Sequence, residues 1–180
     1  MFDLDTFISD CRVAAAETEP RLAIKELLSR ALTDPAGIEA AIPVSEAELS
    51  PLYQSDDLTI MKVIWAPGMQ LPPHDHLMWA AIGIFGGQED NTFFRRDPQG
   101  LVASGGKQLV TGDTVLLGDD TVHAVVNPRR HAYTAAIHIY GGDFIRKPRH
   151  MWDPETMEEL PATAATMRRY FDEANARSVN

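Results

Sequence analysis

Apolar side chains recur at every third or fourth position in the first thirty or so residues, which is the spacing of one helix face. The pattern runs through residues 4–15 and again through residues 22–32. Pro20 suits the first turn of the second segment, because its missing N–H has no helical partner there. We therefore predict two helices within residues 3–31, followed by a short helix or turn over residues 37–42.

From about Tyr53 the pattern changes to short apolar or alternating runs separated by glycine, proline and aspartate. Such runs predict β-strands joined by turns, and many short strands in succession are typical of a β-sandwich or a closed barrel. The predicted strands cover residues 58–65, 80–85, 91–95, 106–110, 113–117, 122–126 and 132–140. Residues 163–176 return to a helical pattern.

The chain has 180 residues and shows no internal repeat or convincing linker, which fits one domain. We predict a single domain over residues 1–180. It comprises an N-terminal helical segment (residues 1–45), a β-barrel (residues 50–145) and a C-terminal helical segment (residues 155–178).

Acidic residues outnumber basic ones by 26 to 16, so the formal net charge is −10. Nucleic acids and anionic membranes bind basic surfaces, and this balance disfavours both as partners. No run approaches the roughly 20 apolar residues of a membrane span, and the acidic start lacks the pattern of a signal peptide. We therefore expect a cytoplasmic protein, a monomer or a homodimer. The single cysteine, Cys11, excludes an intramolecular disulfide and is predicted to face the core.

The segment Pro72-Pro73-His74-Asp75-His76 carries the strongest chemical signal. The two prolines exclude a helix and favour extended backbone. Residues two apart on a strand project from the same face, so His74 and His76 converge while Asp75 points away. Two imidazoles held together in this way supply half of a metal site.

A third histidine, His123, lies on a strand that follows a Gly/Asp turn. With it the chain resembles the cupin superfamily. The first cupin motif has a glycine, five residues and then His-x-His, as Gly68 and His74 do, and the second ends in a histidine and an asparagine four positions later, as His123 and Asn127 do. The resemblance implies a mainly β fold, the double-stranded β-helix (a jelly-roll barrel) with N-terminal helices and a C-terminal helix. It also implies one divalent metal held by His74, His76 and His123.

Many cupins add a glutamate four or five positions after the second histidine as a fourth ligand. Ala80 and Ala81 occupy those positions here. Glu89, thirteen positions beyond His76, falls in the sequence GGQED and is interpreted as a solvated turn residue. An all-histidine site leaves coordination positions open and suits a ligand that arrives as an anion. Three histidines and water also describe catalytic zinc, so the ligands alone leave hydrolytic zinc and oxidative iron both open.

The string WAPGMQLPPHDHLMWAAIGIFGG is similar to the thiol dioxygenases, the family of cysteine dioxygenase and 3-mercaptopropionate dioxygenase. Trp65 and Gly68 match the family's Trp-x-x-Gly segment, and Trp79 begins an approximate match to the strand after the histidines. The resemblance covers about residues 53–145. It implies a mononuclear Fe(II) enzyme, with one iron per chain, that adds O2 to a small thiol and forms a sulfinate.

In that family serine, histidine and tyrosine alternate on one strand and form a hydrogen-bonded relay beside the iron. His138 and Tyr140 match two of the three, and the resemblance implies catalytic roles for both. Ala136 replaces the serine, so the outer end of the relay is absent. Ala81 stands where the animal enzymes carry a crosslinked cysteine, so that crosslink cannot form.

Substrate selection in the family depends on the group that binds the carboxylate of the thiol. The 3-mercaptopropionate enzymes have a glutamine before the first barrel strand, which Gln54 matches. They also have an arginine after the tyrosine strand, for which Arg146 and Arg149 are candidates. An arginine suits carboxylate capture because its guanidinium donates two parallel hydrogen bonds. We predict Gln54, Arg146 and Trp79 as substrate-binding residues.

Two other functions stay open on the sequence alone. A cupin with the same three histidines could bind a metal and small ligands without oxidising them. It could also act as a zinc, nickel or manganese hydrolase or isomerase.

Overall fold

The computed structural model of the protein describes residues 1–98 and 100–178. The described residues form helices at the two ends of the chain: α1 (Leu4–Ala14), α2 (Pro20–Ala31), α3 (Pro35–Ala41) and α4 (Ala164–Ser178). The strands between them are β1 (Glu48–Gln54), β2 (Thr59–Trp65), β3 (Gln70–Asp75), β4 (Ala80–Gly86), β5 (Gln88–Asp97), β6 (Gly100–Val110), β7 (Thr114–Leu117), β8 (Val122–Val126), β9 (Thr134–Tyr140), β10 (His150–Trp152) and β11 (Glu159–Pro161).

Helix starts follow the capping residues in the sequence. Asp3 accepts a hydrogen bond from the backbone N of Thr6 at 2.8 Å, which satisfies a free N–H in the first turn of α1. Asp34 does the same for Gly37 at 3.0 Å at the start of α3. The predicted pair of N-terminal helices is confirmed, and the segment predicted as a short helix or turn forms α3. Among the described residues, no helix is both long and apolar enough to cross a membrane.

The strands form two antiparallel sheets with a hydrophobic core between them. The first sheet has the order β1-β2-β9-β4-β7, and the second has the order β11-β10-β3-β8-β5-β6. Most neighbours in each sheet come from distant parts of the chain, as in a jelly roll. This is the double-stranded β-helix of the cupin fold, and the predicted fold class is confirmed.

The sheets extend further than the sequence pattern indicated. β1 precedes the first predicted strand, and β10 and β11 follow the last one. β5 and β6 form a hairpin of 10 and 11 residues, longer than either predicted strand. β6 is exposed along most of its length, so it shows neither an apolar run nor a regular alternation, the two signals by which strands are recognised.

Strand β9 separates two hydrophobic clusters. All seven of its residues are buried, because alternate side chains point to opposite faces and both faces are covered. Ala136, His138 and Tyr140 face the inner cluster between the sheets. Ile139 packs into the outer cluster, which lies between the first sheet and α1–α3. Cys11 is buried in the outer cluster, as predicted.

Candidate metal centre

Three buried histidines meet on the inner face of the second sheet. β3 and β8 pair with His74 directly opposite His123, and His76 follows just after β3. The ring centroids lie 4.5 to 5.2 Å apart, and one ring nitrogen of each histidine lies within 4.8 Å of the others. Within residues 1–98 and 100–178, no other group of three His, Cys, Asp or Glu side chains lies close enough together to hold one ion. The structure thus brings the predicted ligands together.

Contacts on the opposite face of β3 fix the segment that carries His74 and His76. Asp75 points to the opposite side of β3, as predicted, where its carboxylate contacts Arg96 Nη2 at 2.5 Å and His150 Nδ1 at 2.9 Å. The backbone N of His150 also donates to Asp75 at 2.8 Å. Because Arg96 belongs to β5 and His150 to β10, Asp75 links three strands of the second sheet and fixes the backbone between His74 and His76.

Hydrogen bonds on the outer ring nitrogens determine which nitrogen faces the centre. His74 Nδ1 donates to the backbone O of Pro72 at 3.0 Å, since a carbonyl oxygen only accepts. His123 Nδ1 lies 2.7 Å from Asn91 Oδ1, which is also an acceptor. Both rings therefore carry their proton on Nδ1 and leave Nε2 free to bind a metal.

The third ring, His76, lies close to the free Nε2 of His123. His76 Nε2 lies 3.3 Å from His123 Nε2, whose lone pair points to the centre. His76 Nδ1 is buried without a hydrogen bond, and buried polar atoms of this kind are rare. A cation between the rings would bind the Nε2 lone pairs of His74 and His123, and that of His76 when its proton is on Nδ1. The residues present therefore fit a divalent metal ion.

Burial keeps the three imidazoles neutral. Loss of hydration lowers the pKa of His74 from 6.5 to about 4, and the charge of Arg149 acts in the same direction. Burial and the neighbouring histidines lower the pKa of His76 and of His123 well below the usual value. At neutral pH these rings bind a metal without first releasing a proton.

The predicted Tyr–His pair lies on β9, in the opposite sheet. His138 Nδ1 and the Tyr140 hydroxyl oxygen are 3.1 Å apart, and the Tyr140 ring packs edge-on against His76 with 5.0 Å between centroids. Burial raises the pKa of Tyr140, so its hydroxyl is protonated at neutral pH. The structure thus brings both residues to the metal centre, while Ala136 supplies no hydroxyl beyond His138.

Glu89 corrects the interpretation of the sequence. The pattern GGQED suggested a solvated turn residue, but Glu89 lies on β5 and is 0% exposed. Its carboxylate accepts hydrogen bonds from Trp65 Nε1 at 2.8 Å and from Asn91 Nδ2 at 2.9 Å, and it lies 3.7 Å from His138 Nε2. Burial opposes ionisation, but the contact with His138 and these hydrogen bonds outweigh it and lower the pKa of Glu89. A buried carboxylate therefore lies between a metal ligand and the Tyr–His pair.

The residues predicted to bind substrate lie away from the histidines. Gln54 is exposed, and its Nε2 donates to Asp143 Oδ1 at 2.8 Å. The side chain of Arg146 is 77% exposed and pairs with the same carboxylate at 3.5 Å. Trp79 packs against the outer cluster, and its ring lies so close to Gly141 that a side chain there would collide with it. The structure does not bring Gln54, Arg146 or Trp79 to the metal centre.

Arg149, the alternative to Arg146, lies beside the centre instead. It is 5% exposed, and its Cζ is 3.7 Å from the ring centroid of Phe144, which stacks on Tyr140. Its Nε and Nη1 atoms are buried without a hydrogen-bond partner. Burial lowers the pKa of Arg149. Sequence spacing could not distinguish the two arginines, because it does not show which of them turns inward.

A small chamber lies beside the histidines, and an outer cavity lies next to it. The chamber has about 10 Å³ of free space, near the lower limit for one water molecule. The outer cavity has a volume of about 320 Å³ and is lined in part by Arg149. Leu49, Phe144, Met167 and Phe171 line both spaces and form the wall between them. Two of these four side chains come from α4.

Asn127, the last residue of the second cupin motif, has a structural role. Its buried Nδ2 lies 2.9 to 3.2 Å from the backbone O atoms of Trp65, Ala66 and Ala132, and its Oδ1 accepts from the backbone N of Arg129 at 3.0 Å. It therefore ties the β2–β3 turn to the loop after β8, and so holds together the strands that carry the metal ligands.

No protein-family model matches the chain. Similar solved structures include a Bacillus halodurans protein at 16% identity and a TM-score of 0.50, covering 58% of this chain and 77% of that one. A cupin superfamily protein of Desulfitobacterium hafniense has 18% identity and a TM-score of 0.46 over 59% of this chain and 88% of its own. A Ralstonia eutropha protein with a cupin-like fold has 18% identity and a TM-score of 0.48 over 76% of each chain. The Desulfitobacterium and Ralstonia proteins are described as cupin-type, and at such identities a likeness concerns the fold alone.

Proposed function

We propose that the protein is a mononuclear non-haem Fe(II) dioxygenase that oxidises a small carboxylated thiol to its sulfinate. The observation that carries the proposal is the Tyr140 hydroxyl, which lies 3.1 Å from His138 Nδ1 while its ring packs against the metal-site residue His76. A hydrolytic zinc site uses a metal-bound water as its nucleophile. A buried phenol beside an all-histidine site is instead the arrangement of the thiol dioxygenases.

The ligand set suits an anionic substrate. His74, His76 and His123 would hold the metal as neutral ligands, so the charge of a divalent ion is not cancelled by a coordinating carboxylate. A thiolate supplies that negative charge and is a good ligand for iron. When bound, Fe(II) would supply the electron-transfer chemistry that O2 requires.

The Tyr–His pair has a proton-handling role. One proton is held between the Tyr140 oxygen and His138 Nδ1, next to the face of the site that the three ligands leave open. A hydroxyl at this position orients an oxygen atom or a substrate thiol by hydrogen bonding. In the overall reaction R–SH + O2 → R–SO2H, both oxygen atoms enter the product and no other reductant is needed.

Arg149 would bind the substrate carboxylate. A buried guanidinium with two unpartnered donors is costly unless an anion pairs with it, and Nε and Nη1 of Arg149 are in that state. From its position on the outer cavity, behind Phe144, Arg149 would bind the carboxylate on one side of the wall while the thiol lies on the other. The wall side chains would have to move for a substrate to enter, because the chamber has about 10 Å³ of free space.

Oxygen consumption tests the proposal. The protein is loaded with Fe(II) without oxygen and then given 3-mercaptopropionate, cysteine, mercaptosuccinate or cysteamine in aerated buffer. We expect O2 uptake with at least one carboxylated thiol, at one O2 per sulfinate formed, and little with cysteamine, which has no carboxylate. Arg149→Met should raise KM for the carboxylated substrate about 100-fold, and Arg146→Met, at the exposed arginine, should not. No uptake with any of the four thiols would refute the proposal, and turnover that continues without oxygen would favour a hydrolase or isomerase.

A further inference from the structure

The buried carboxylate of Glu89 joins the two sheets at the metal centre. Glu89 and Asn91 come from β5 in the second sheet, whereas Trp65 and His138 come from β2 and β9 in the first. A carboxylate accepts hydrogen bonds and does not donate them when it is ionised. Every group that it binds must therefore present a proton to it, and that requirement fixes the orientation of its neighbours.

One oxygen of Glu89 acts through Asn91 on a metal ligand. Oε1 accepts from Asn91 Nδ2 at 2.9 Å, so the amide nitrogen of Asn91 must face Glu89. The amide oxygen then faces His123, and Asn91 Oδ1 lies 2.7 Å from His123 Nδ1. His123 must carry its proton on Nδ1, which leaves Nε2 as the ligand atom.

The other oxygen faces the Tyr–His pair. Oε2 accepts from Trp65 Nε1 at 2.8 Å and lies 3.7 Å from His138 Nε2. That distance is longer than a hydrogen bond, but a negative oxygen there favours the tautomer with the proton on Nε2. His138 Nδ1 is then an acceptor, and the Tyr140 hydroxyl donates to it across 3.1 Å.

We propose that Glu89 is a positioning residue that sets the tautomers of two histidines at once, the metal ligand His123 and His138 of the Tyr–His pair. It also compensates for Ala136, because the outer nitrogen of His138 faces a carboxylate instead of a serine hydroxyl. Glu89 acts on the ligand His123 through Asn91 and on His138 directly. Both halves of the site therefore depend on one side chain. The inference rests on the metal site of the proposed function and not on thiol oxidation.

Nuclear magnetic resonance of the histidine side chains tests this in the wild-type chain. The full-length protein is labelled with 15N, loaded with zinc, and its ring nitrogens are assigned from long-range 1H–15N correlations. We expect His123 to be protonated at Nδ1 and His138 at Nε2. The opposite tautomer at either ring would overturn the proposal, and this result does not depend on any variant or on whether the protein oxidises a thiol.

Glu89→Gln tests the cause. Its amide offers one acceptor and one donor where the carboxylate offers two acceptors. If the amide oxygen keeps Asn91, the amide nitrogen faces His138 Nε2 and the bond from Trp65 Nε1 is lost, and His138 should move its proton to Nδ1. If the amide nitrogen faces Asn91, that residue flips, and zinc affinity should fall about 10-fold or more, as for other changes behind a metal ligand.

Glu48→Gln is the matched control. It removes a carboxylate whose oxygen lies 2.5 Å from Lys62 Nζ and which does not contact the histidines. It should leave the His138 tautomer and the zinc affinity unchanged. The proposal fails if Glu89→Gln also leaves both unchanged, or if Glu48→Gln alters them equally.

Discussion

Replacing His74 with glutamine should remove part of the pH dependence of the stability of the metal-free protein. His74 is buried, and loss of hydration lowers its pKa from 6.5 to about 4 in the folded state. Between these two values the unfolded chain binds a proton at His74 and the folded protein does not. The unfolded state is therefore favoured as the pH falls through this range. The stability that depends on a neutral His74 is fully present above about pH 6.5 and is lost progressively toward pH 4.

The size of the effect follows from the two pKa values. Between about pH 7 and about pH 5, the proton uptake of the unfolded chain at His74 alone costs the folded state about 2 kcal/mol. His76 and His123 have lowered pKa values too and act in the same direction. The wild-type protein should therefore lose more than this, and His74→Gln should lose about 2 kcal/mol less than the wild type over the same range.

Urea unfolding measures the difference. Wild type and His74→Gln are unfolded with a chelator present at pH 7, 6 and 5, and the free energies are extrapolated to water. His131→Gln is the control, because His131 is exposed, and it should follow the wild-type curve. If His74→Gln loses as much stability between pH 7 and pH 5 as the wild type does, burial does not hold this imidazole neutral and the account of the site is wrong.

Three further predictions follow from single contacts. Asn91→Ala should weaken zinc binding by about 10- to 100-fold, because His123 loses the acceptor that orients it; a competing chelator measures this, and unchanged affinity would contradict it. Tyr140→Phe should lower kcat for thiol oxidation by about 100-fold and leave the iron content unchanged, so a loss of iron would indicate a structural role instead. Asn127→Leu should lower the free energy of unfolding by about 3 kcal/mol, since the buried backbone carbonyls lose its two N–H donors and the backbone N of Arg129 loses its acceptor; a loss below about 1 kcal/mol would show that these contacts are dispensable.

Much of the metal site could be predicted because its signals are local. Pro72 and Pro73 enforce an extended backbone, and the two-residue period of a strand then places His74 and His76 on one face. The same period placed His138 and Tyr140 together on β9. These relations need no knowledge of neighbouring strands, and the structure places each of these side chains as expected.

Glu89 could not be interpreted in the same way. The turn signal in GGQED was genuine, but the turn comprises Gly87 between β4 and β5, so Glu89 is already the second residue of a strand. Its inward face and its partners were decided by the packing of β5 opposite β2 and β9. Polar residues on a short segment give no sign of whether a second sheet will cover them.

The positions of the two arginines could not be predicted for a related reason. Arg146 and Arg149 stand three positions apart in a segment without a clear period, and only the folded chain shows that Arg149 packs on Phe144 while Arg146 pairs with Asp143 at the surface. Gln54 and Trp79 were assigned by their order along the chain, which does not specify the face to which a side chain points.

The sequence by itself determined the helices, most of the barrel strands and the convergence of His74 with His76, because backbone restriction and strand period act between adjacent residues. The cupin-type barrel and the third histidine followed from the resemblance of the two motifs. The tertiary structure alone decided that Glu89 links His123 to His138, and that Arg149 lies beside the centre. Those contacts join residues from opposite sheets, and their formation depends on how the sheets pack and on what is thereby removed from water. Burial is a property of the whole fold, and it determines which polar side chains act on the metal site.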